Sequence, residues 1–300
     1  MLPCANIQQG KTMKTFQLSL IVALLLGGQV FAEPLSIDED QIIVTADVVL
    51  KKRTPNSSNA GDAAKKLANP LASMISLPIQ ANYQPNLGTN DAGSQWLTNV
   101  QPVIPFDLND DWNIISRSII PLISKDTGIP GESTINGVGD IVQSAWLSPK
   151  ELTDNGWVWG VGAAFLIPSG SELSARKWGV GPTAVALKQD GKWTYGGLFN
   201  HIWDFAGSDG VTTQVNNTFV QPFLTYITPQ AVTIALNTES TYDWRNEQWT
   251  VPVNLQVLKV LKVGTQLIQV GGGVTYWAEA PETGPEGWGG RIIFTMIFPK

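Results

Sequence analysis

Histidine and cysteine are nearly absent from this 300-residue sequence, which contains one residue of each. Structural zinc sites and iron–sulfur clusters need several imidazole or thiolate ligands. Disulfide frameworks need paired cysteines. The sequence therefore excludes a metal centre of either kind and a disulfide scaffold, and we expect no metal and no cofactor.

Charged residues are also scarce, at 15% of the chain, and the formal net charge is −6 with a pI near 4.8. Nucleic-acid binding needs a basic surface to contact phosphates, so we expect no nucleic-acid partner. Low charge combined with 12 Trp and 29 Gly is not typical of a disordered chain or a helical bundle. The composition favours one large β domain or two smaller ones.

Long apolar runs are missing except for one near the N-terminus, at residues 16–26, which follows Lys11 and Lys14. A positive segment, a short apolar core and a small-residue end are typical of a secretion signal. The pattern predicts a cleaved signal peptide over residues 1–32, with its start at Met1 or Met13. An N-terminal membrane anchor is the alternative, but the run is shorter than the roughly 20 apolar residues of a spanning helix.

Aromatic residues are missing from residues 33–66, which contain acidic, basic and Asn/Ser-rich stretches. Such a composition cannot bury enough apolar surface to form a core. The sequence therefore predicts a polar N-terminal tail or linker over residues 33–66, followed by one folded region over residues 67–300.

Apolar and polar residues alternate with a period of two in many segments of residues 67–300, such as 157–165, 249–256 and 291–298. This period is typical of strands between an apolar and a wetter environment. About twelve such segments occur, and strands of about 10 residues span the apolar band of an outer membrane. The pattern predicts an all-β fold, a transmembrane antiparallel β-barrel of about 12 strands.

Many tryptophans stand at the start of a predicted strand. Indole rings at strand ends form the aromatic girdles of membrane barrels, where the ring meets lipid and the N–H meets headgroups. A soluble β-sandwich is the alternative, but its solvated face would carry Lys and Glu, whereas the polar face here is largely Gly, Asn, Gln and Thr. The predicted girdle residues are Trp96, Trp112, Trp157, Trp178, Trp193, Trp249 and Trp288.

Charged residues inside predicted strands should face the lumen, because Arg or Lys on the lipid face costs about 2–4 kcal/mol near the bilayer midplane. Such residues either select and guide a solute or form a paired network that fills the barrel. The predicted lumen-lining residues are Arg117, Asp140, Gln143, Gln221, Asn237, Glu239, Asn254 and Arg291.

His201 is the one histidine and so the one candidate for imidazole acid–base chemistry. Barrel hydrolases with a Ser–His pair exist, but the Gly-x-Ser-x-Gly motif of a nucleophile elbow does not occur in this sequence. We therefore expect a structural or girdle histidine, no catalytic residue and no enzymatic activity.

Several strings carry a family resemblance: residues 67–73, 77–80, 221–224, 240–244, 249–254 and 284–289. They resemble the family labelled MetA-pathway of phenol degradation, also called transporter, over nearly all of residues 67–300. The resemblance implies an outer-membrane β-barrel that admits aromatic or other hydrophobic compounds, without an agreed set of binding residues. The chain departs from the common barrel ending, because Pro299 and Lys300 follow Phe298.

These observations predict an outer-membrane channel or uptake protein for small, hydrophobic or aromatic molecules, located in the cell outer membrane. Its expected partners are outer-membrane lipid, the barrel assembly machinery and a small-molecule solute. A closed structural or adhesive barrel without transport activity is the alternative.

Overall fold

The structure is a computed structural model that describes residues 57–88, 90–207 and 214–298. The predicted signal peptide at residues 1–32 and most of the predicted polar tail, residues 33–56, lie outside the described residues. Within the described residues, no helix has the length and apolar character needed to cross a membrane.

The described chain consists of one helix followed by strand segments. The helix is α1 (Ser57–Leu67). The strand segments are β1 (Ile75–Leu87), β2 (Gly93–Val100), β3 (Val103–Asp107), β4 (Trp112–Asp126), β5 (Ile135–Val138), β6 (Ile141–Pro149), β7 (Trp157–Ile167), β8 (Lys177–Asp190), β9 (Trp193–Gly207), β10 (Asn216–Ile227), β11 (Val232–Thr238), β12 (Ser240–Asp243), β13 (Gln248–Val263), β14 (Gln266–Glu279) and β15 (Gly287–Phe298).

The segments form one closed antiparallel barrel of twelve strands. Three strands are each interrupted once, so that β2 continues into β3, β5 into β6 and β11 into β12. Each strand pairs with its neighbours in sequence, and the pairing of β15 with β1 joins the two ends of the sheet. The predicted transmembrane antiparallel barrel of about 12 strands is confirmed, and its first strand begins at Ile75.

Side chains alternate between the two faces of each strand, as the sequence pattern predicted. In β13, Val253, Leu255 and Val257 are exposed, whereas Asn254 and Gln256 between them are buried. Successive residues of a strand point to opposite faces, so the exposed set forms the outer surface and the buried set faces the lumen. An outer surface of this apolar character is suited to hydrocarbon rather than to water.

Helix α1 packs inside one end of the barrel, so residues 57–66 are not part of a solvated tail as predicted. Its alanine and leucine side chains at positions 60, 63, 64 and 67 follow the spacing of an amphipathic helix. They contact an apolar cluster on the inner wall. Its buried residues from the wall and from the segment before β1 are Met74, Ile227, Ala231, Val260 and Ile297.

The chain after α1 extends this packing toward the middle of the barrel. The side-chain amide Nε2 of Gln189 donates to the carbonyl oxygen of Lys65 at 2.8 Å, which satisfies one carbonyl at the helix end. Leu71 then enters a buried cluster with Ile115, Trp146 and Leu198. Helix α1 and residues 68–74 therefore narrow the barrel at the end where β1 starts and β15 ends.

Close strand contact requires glycine at position 162 in β7. A Cβ atom built there would lie 1.8 Å from the carbonyl oxygen of Ala145 in β6. At Gly290 in β15, by contrast, a Cβ atom would meet no heavy atom within 4 Å.

We predict that Gly162→Ala lowers the free energy of unfolding by about 1–3 kcal/mol, because the added methyl group forces the backbones of β6 and β7 apart. The measurement is urea titration of the folded fraction, read from the mobility of unboiled samples on gels. Gly290→Ala is the matched control and should leave the transition unchanged within about 0.5 kcal/mol. Equal losses in the two variants would contradict the steric explanation.

Candidate functional site

A chamber of about 240 Å³ lies in the lumen between helix α1 and the middle of the barrel. Lys66 and Leu67 line it on the helix side. Arg117 from β4 and Glu239 from the junction of β11 and β12 line it from opposite walls. We call this space the lumenal chamber, and its three charged lining residues are Lys66, Arg117 and Glu239.

A bidentate ion pair joins Glu239 to Arg291. The Arg291 Nη2 atom lies 2.8 Å from Oε2 of Glu239, and Nη1 donates to Oε1 at 3.2 Å. Arg291 is buried, with 5% of its side chain exposed, against 26% for Glu239. The two residues are three strands apart in the barrel order, so the ion pair crosses part of the lumen.

Arg291 is also fixed from the side away from Glu239. Its Nε atom donates to Oδ1 of Asn82 in β1 at 2.7 Å. The Nδ2 atom of Asn82 in turn donates to the carbonyl oxygen of Leu97 at 2.9 Å. The Arg291 guanidinium therefore uses all three of its nitrogen atoms in hydrogen bonds to the barrel.

Arg117 is held differently from Arg291. Its Nη2 atom donates to Oε1 of Gln101 at 2.6 Å, which is its hydrogen bond within the described residues. Glu239 attracts the Arg117 guanidinium electrostatically without a hydrogen bond between them. A guanidinium carries five N–H donors, so Arg117 has donors to spare where it faces the lumenal chamber.

Three of the other predicted lumen-lining residues face inward. Gln221 and Asn237 line the lumenal chamber. Asn254 is fully buried and accepts a hydrogen bond from Thr275 Oγ1 at 2.7 Å. Several polar atoms of the inner wall have no hydrogen-bond partner among the described residues, namely Thr233 Oγ1, Asn237 Oδ1, Asn254 Nδ2 and Gln256 Oε1.

Asp140 fixes a loop rather than lining the lumenal chamber. It lies between β5 and β6, where its Oδ2 atom accepts a hydrogen bond from the backbone N–H of Ala175 at 2.8 Å. The hydroxyl of Ser174 also donates to Asp140. The carboxylate therefore ties the loop between β7 and β8 to the neighbouring strand.

Gln143 lies on the outer face of the barrel, although its polarity led us to expect it in the lumen. It pairs with the exposed Phe165 and has the opposite orientation to buried Ser144. Its Nε2 atom donates to Ser116 Oγ at 3.0 Å, and its Oε1 atom accepts from Ser118 Oγ at 2.5 Å. A polar side chain on this face is tolerated because its neighbours satisfy its hydrogen bonds.

The predicted girdle tryptophans lie near strand ends on the outer face. Six of them are between 37% and 65% exposed, and Trp112 is half-buried with its ring centroid 6.0 Å from that of Trp159. Trp112, Trp157 and Trp193 lie at the end that holds α1, and the other four at the opposite end. Five have a tyrosine ring beside them, in the pairs Tyr83–Trp96, Trp157–Tyr195, Trp193–Tyr226, Tyr242–Trp249 and Tyr276–Trp288.

Two further tryptophans, which do not stand at strand starts, face inward. Trp146 is 1% exposed, and its indole N–H donates to Thr183 Oγ1 at 3.1 Å. Trp277 is 8% exposed, next to the exposed Tyr276. The alternation within each strand carried this signal, because a residue adjacent to an outward side chain points inward.

His201 lies on the outer face, with the same orientation as the exposed Phe199 and Trp203. Its Nδ1 atom is 2.8 Å from Thr218 Oγ1, and that hydroxyl also accepts from the indole of Trp244 at 2.8 Å. In the part of the chain that the structure describes, no group of three or more His, Cys, Asp and Glu side chains could hold a metal ion.

No protein-family model and no curated protein matches the sequence. Among solved structures, an outer membrane channel from Pseudomonas putida F1 is similar with a TM-score of 0.58 and 16% identity, covering 75% of this chain and 96% of that channel. The NanC porin is similar with a TM-score of 0.46 and 13% identity, covering 74% of this chain and 99% of the porin.

The outer membrane phospholipase A of Escherichia coli has a TM-score of 0.42 and 9% identity over 74% of this chain and 96% of the enzyme. At 16% identity, the likeness to the Pseudomonas putida channel shows a shared fold. The protein therefore has the fold of an outer-membrane β-barrel, while membership of the phenol-degradation family stays a prediction.

The ion pair generates a prediction about stability. We expect Arg291→Met to lower the free energy of unfolding by about 1–3 kcal/mol, because it leaves the Glu239 carboxylate unpaired in the lumen. Adding Glu239→Gln to that variant should restore part of the loss, and urea titration of the folded fraction measures both.

Lys150→Met is the control for loss of a charge at the surface, since its ion pair with Asp107 is partly exposed and should contribute less than about 1 kcal/mol. If the double variant were no more stable than Arg291→Met alone, the unpaired carboxylate would not be the cause of the loss.

Proposed function

We propose that this protein is an outer-membrane channel for small molecules, exported through a cleaved signal peptide. The observation that carries the proposal is the contrast between the two faces of the closed barrel. The outer face is apolar, whereas the lumen contains a chamber lined by polar and charged side chains.

The outer surface supports a location in the outer membrane. The exposed tryptophans and their tyrosine neighbours near both ends of the barrel suit two aromatic girdles at the membrane interfaces. On this proposal outer-membrane lipid surrounds the barrel, and the barrel assembly machinery inserts the protein into the membrane.

The polar inner wall favours a lumen that a solute can pass through over an interior that is fully packed. Buried polar atoms without a hydrogen-bond partner among the described residues, such as Asn237 Oδ1 and Gln256 Oε1, are costly unless water satisfies them. A hydrated wall of this kind next to a chamber gives a polar solute a path. Leu198 and Phe223 line the same chamber, so the apolar part of a solute also finds a contact surface.

A closed structural or adhesive barrel is the second candidate function. Two observations favour it: helix α1 occupies one end of the lumen, and the ion pair of Glu239 and Arg291 crosses part of it. The two candidates differ in whether solute passes once α1 is displaced. Buried apolar contacts of Ala63 and Ala64 with the inner wall help to hold α1 in place.

Displacing α1 provides the test. We expect Ala64→Phe to raise the single-channel conductance of purified protein in planar bilayers at least about twofold, because Ala64 is 1% exposed and a phenyl ring cannot fit there without moving the helix. Asp62→Phe on the exposed side of the same helix is the matched control and should leave the conductance unchanged.

If neither the natural sequence nor Ala64→Phe gave a measurable conductance, the result would contradict the channel function and favour the closed barrel. The migration of unboiled samples on gels shows in parallel that each variant is a folded barrel. Recovery of the protein from the outer-membrane fraction tests the proposed location.

A further inference from the structure

We propose that Arg117 is a binding site for small organic monocarboxylates inside the lumenal chamber. This inference rests on the proposed channel function, because it names the class of solute that the lumen recognises. It starts from the different engagement of the two lumenal arginines.

Every guanidinium nitrogen atom of Arg291 already makes a hydrogen bond, and Arg291 is not among the described residues that line the lumenal chamber. Its three nitrogen atoms bond to Asn82 and to both carboxylate oxygens of Glu239, and its side chain is buried. Arg117 bonds to Gln101 through one nitrogen atom within the described residues and lines the chamber. Arg117 is therefore the guanidinium that can donate to a solute.

The charges around the chamber favour an anion. Lys66 and Arg117 are cationic, and Glu239 is the one acidic residue among the described residues that line the chamber. Glu239 is already paired with Arg291, which weakens its competition for Arg117. The chamber thus has an excess of positive charge, although the whole chain carries a formal charge of −6.

Two features, the planar guanidinium of Arg117 and the apolar side chains that line the chamber, define the chemical class of the ligand. A planar guanidinium matches a carboxylate with two parallel hydrogen bonds. One uncommitted guanidinium favours a single negative charge. Val103, Leu198 and Phe223 line the same chamber and would contact the apolar body of an organic acid. A volume of about 240 Å³ limits that body to a small molecule.

Calorimetric titration of the detergent-solubilised protein with benzoate tests the site. Benzamide is the matched probe, because it has nearly the same shape without the charge. We expect benzamide to bind about 10-fold or more weakly than benzoate, because it lacks the charge. The Arg117→Gln variant should weaken benzoate binding by about the same factor, as loss of a charge-assisted hydrogen bond does. Glu239→Gln should instead strengthen benzoate binding, since it removes the carboxylate that competes for Arg117.

Lys259→Gln is the control variant, because it removes one positive charge from the exposed outer face of β13 and should not change benzoate affinity. If Arg117→Gln did not fold, Arg117→Lys replaces it, and loss of the planar fork should still weaken binding several-fold. Equal affinity for benzoate and benzamide, or an affinity unchanged in a folded Arg117 variant, would overturn the proposal.

Bilayer conductance of the same samples separates this inference from the proposed function. Benzoate binding that depends on Arg117 in a protein without conductance would retain the site and remove the channel. Conductance without such binding would retain the channel and remove the site.

Discussion

The fold depends on one constraint, which is that backbone N–H and C=O groups in contact with hydrocarbon need partners within the protein. A sheet with free edges cannot meet this requirement, but a closed sheet can. The pairing of β15 with β1 provides that closure, in a continuous register from Ile75 opposite Phe298 to Tyr83 opposite Gly290. Closure gives the sheet an outer and an inner face, and every functional feature of the lumen follows from that separation.

Closure also brings together polar groups that are far apart in the sequence. Asn82, Glu239 and Arg291 come from different strands, yet they form one network because their strands lie in the same part of the ring. A charge on the inner face avoids lipid but loses part of its hydration, so it needs a partner or water. Each guanidinium nitrogen atom of Arg291 has a protein partner, whereas Arg117 bonds through one nitrogen atom among the described residues. On our proposal this difference separates a structural arginine from a binding one.

The sequence predicted the barrel well, because alternation depends on neighbouring residues alone. Val253 and Leu255 on the outside and Asn254 on the inside follow directly from a period of two. The inward Trp146 and the outward Gln143 were missed because residue type was given more weight than strand phase. Gln143 is stable outside because Ser116 and Ser118 bond to it, and such partners on an adjacent strand depend on register, which the sequence does not specify.

The helix at one end could be recognised only once the barrel was known. Alanine contributes little apolar area, so the composition around Ala60, Ala63 and Ala64 is dominated by charged and polar residues and predicts a solvated tail. Inside a narrow lumen, however, small side chains are what allow a helix backbone to approach the wall closely. Burying alanine contributes much less free energy than burying leucine, so these small side chains hold α1 less strongly than larger apolar side chains would. The displacement of α1 that tests the proposed channel function therefore need not break the barrel, whose strands are joined by backbone hydrogen bonds instead.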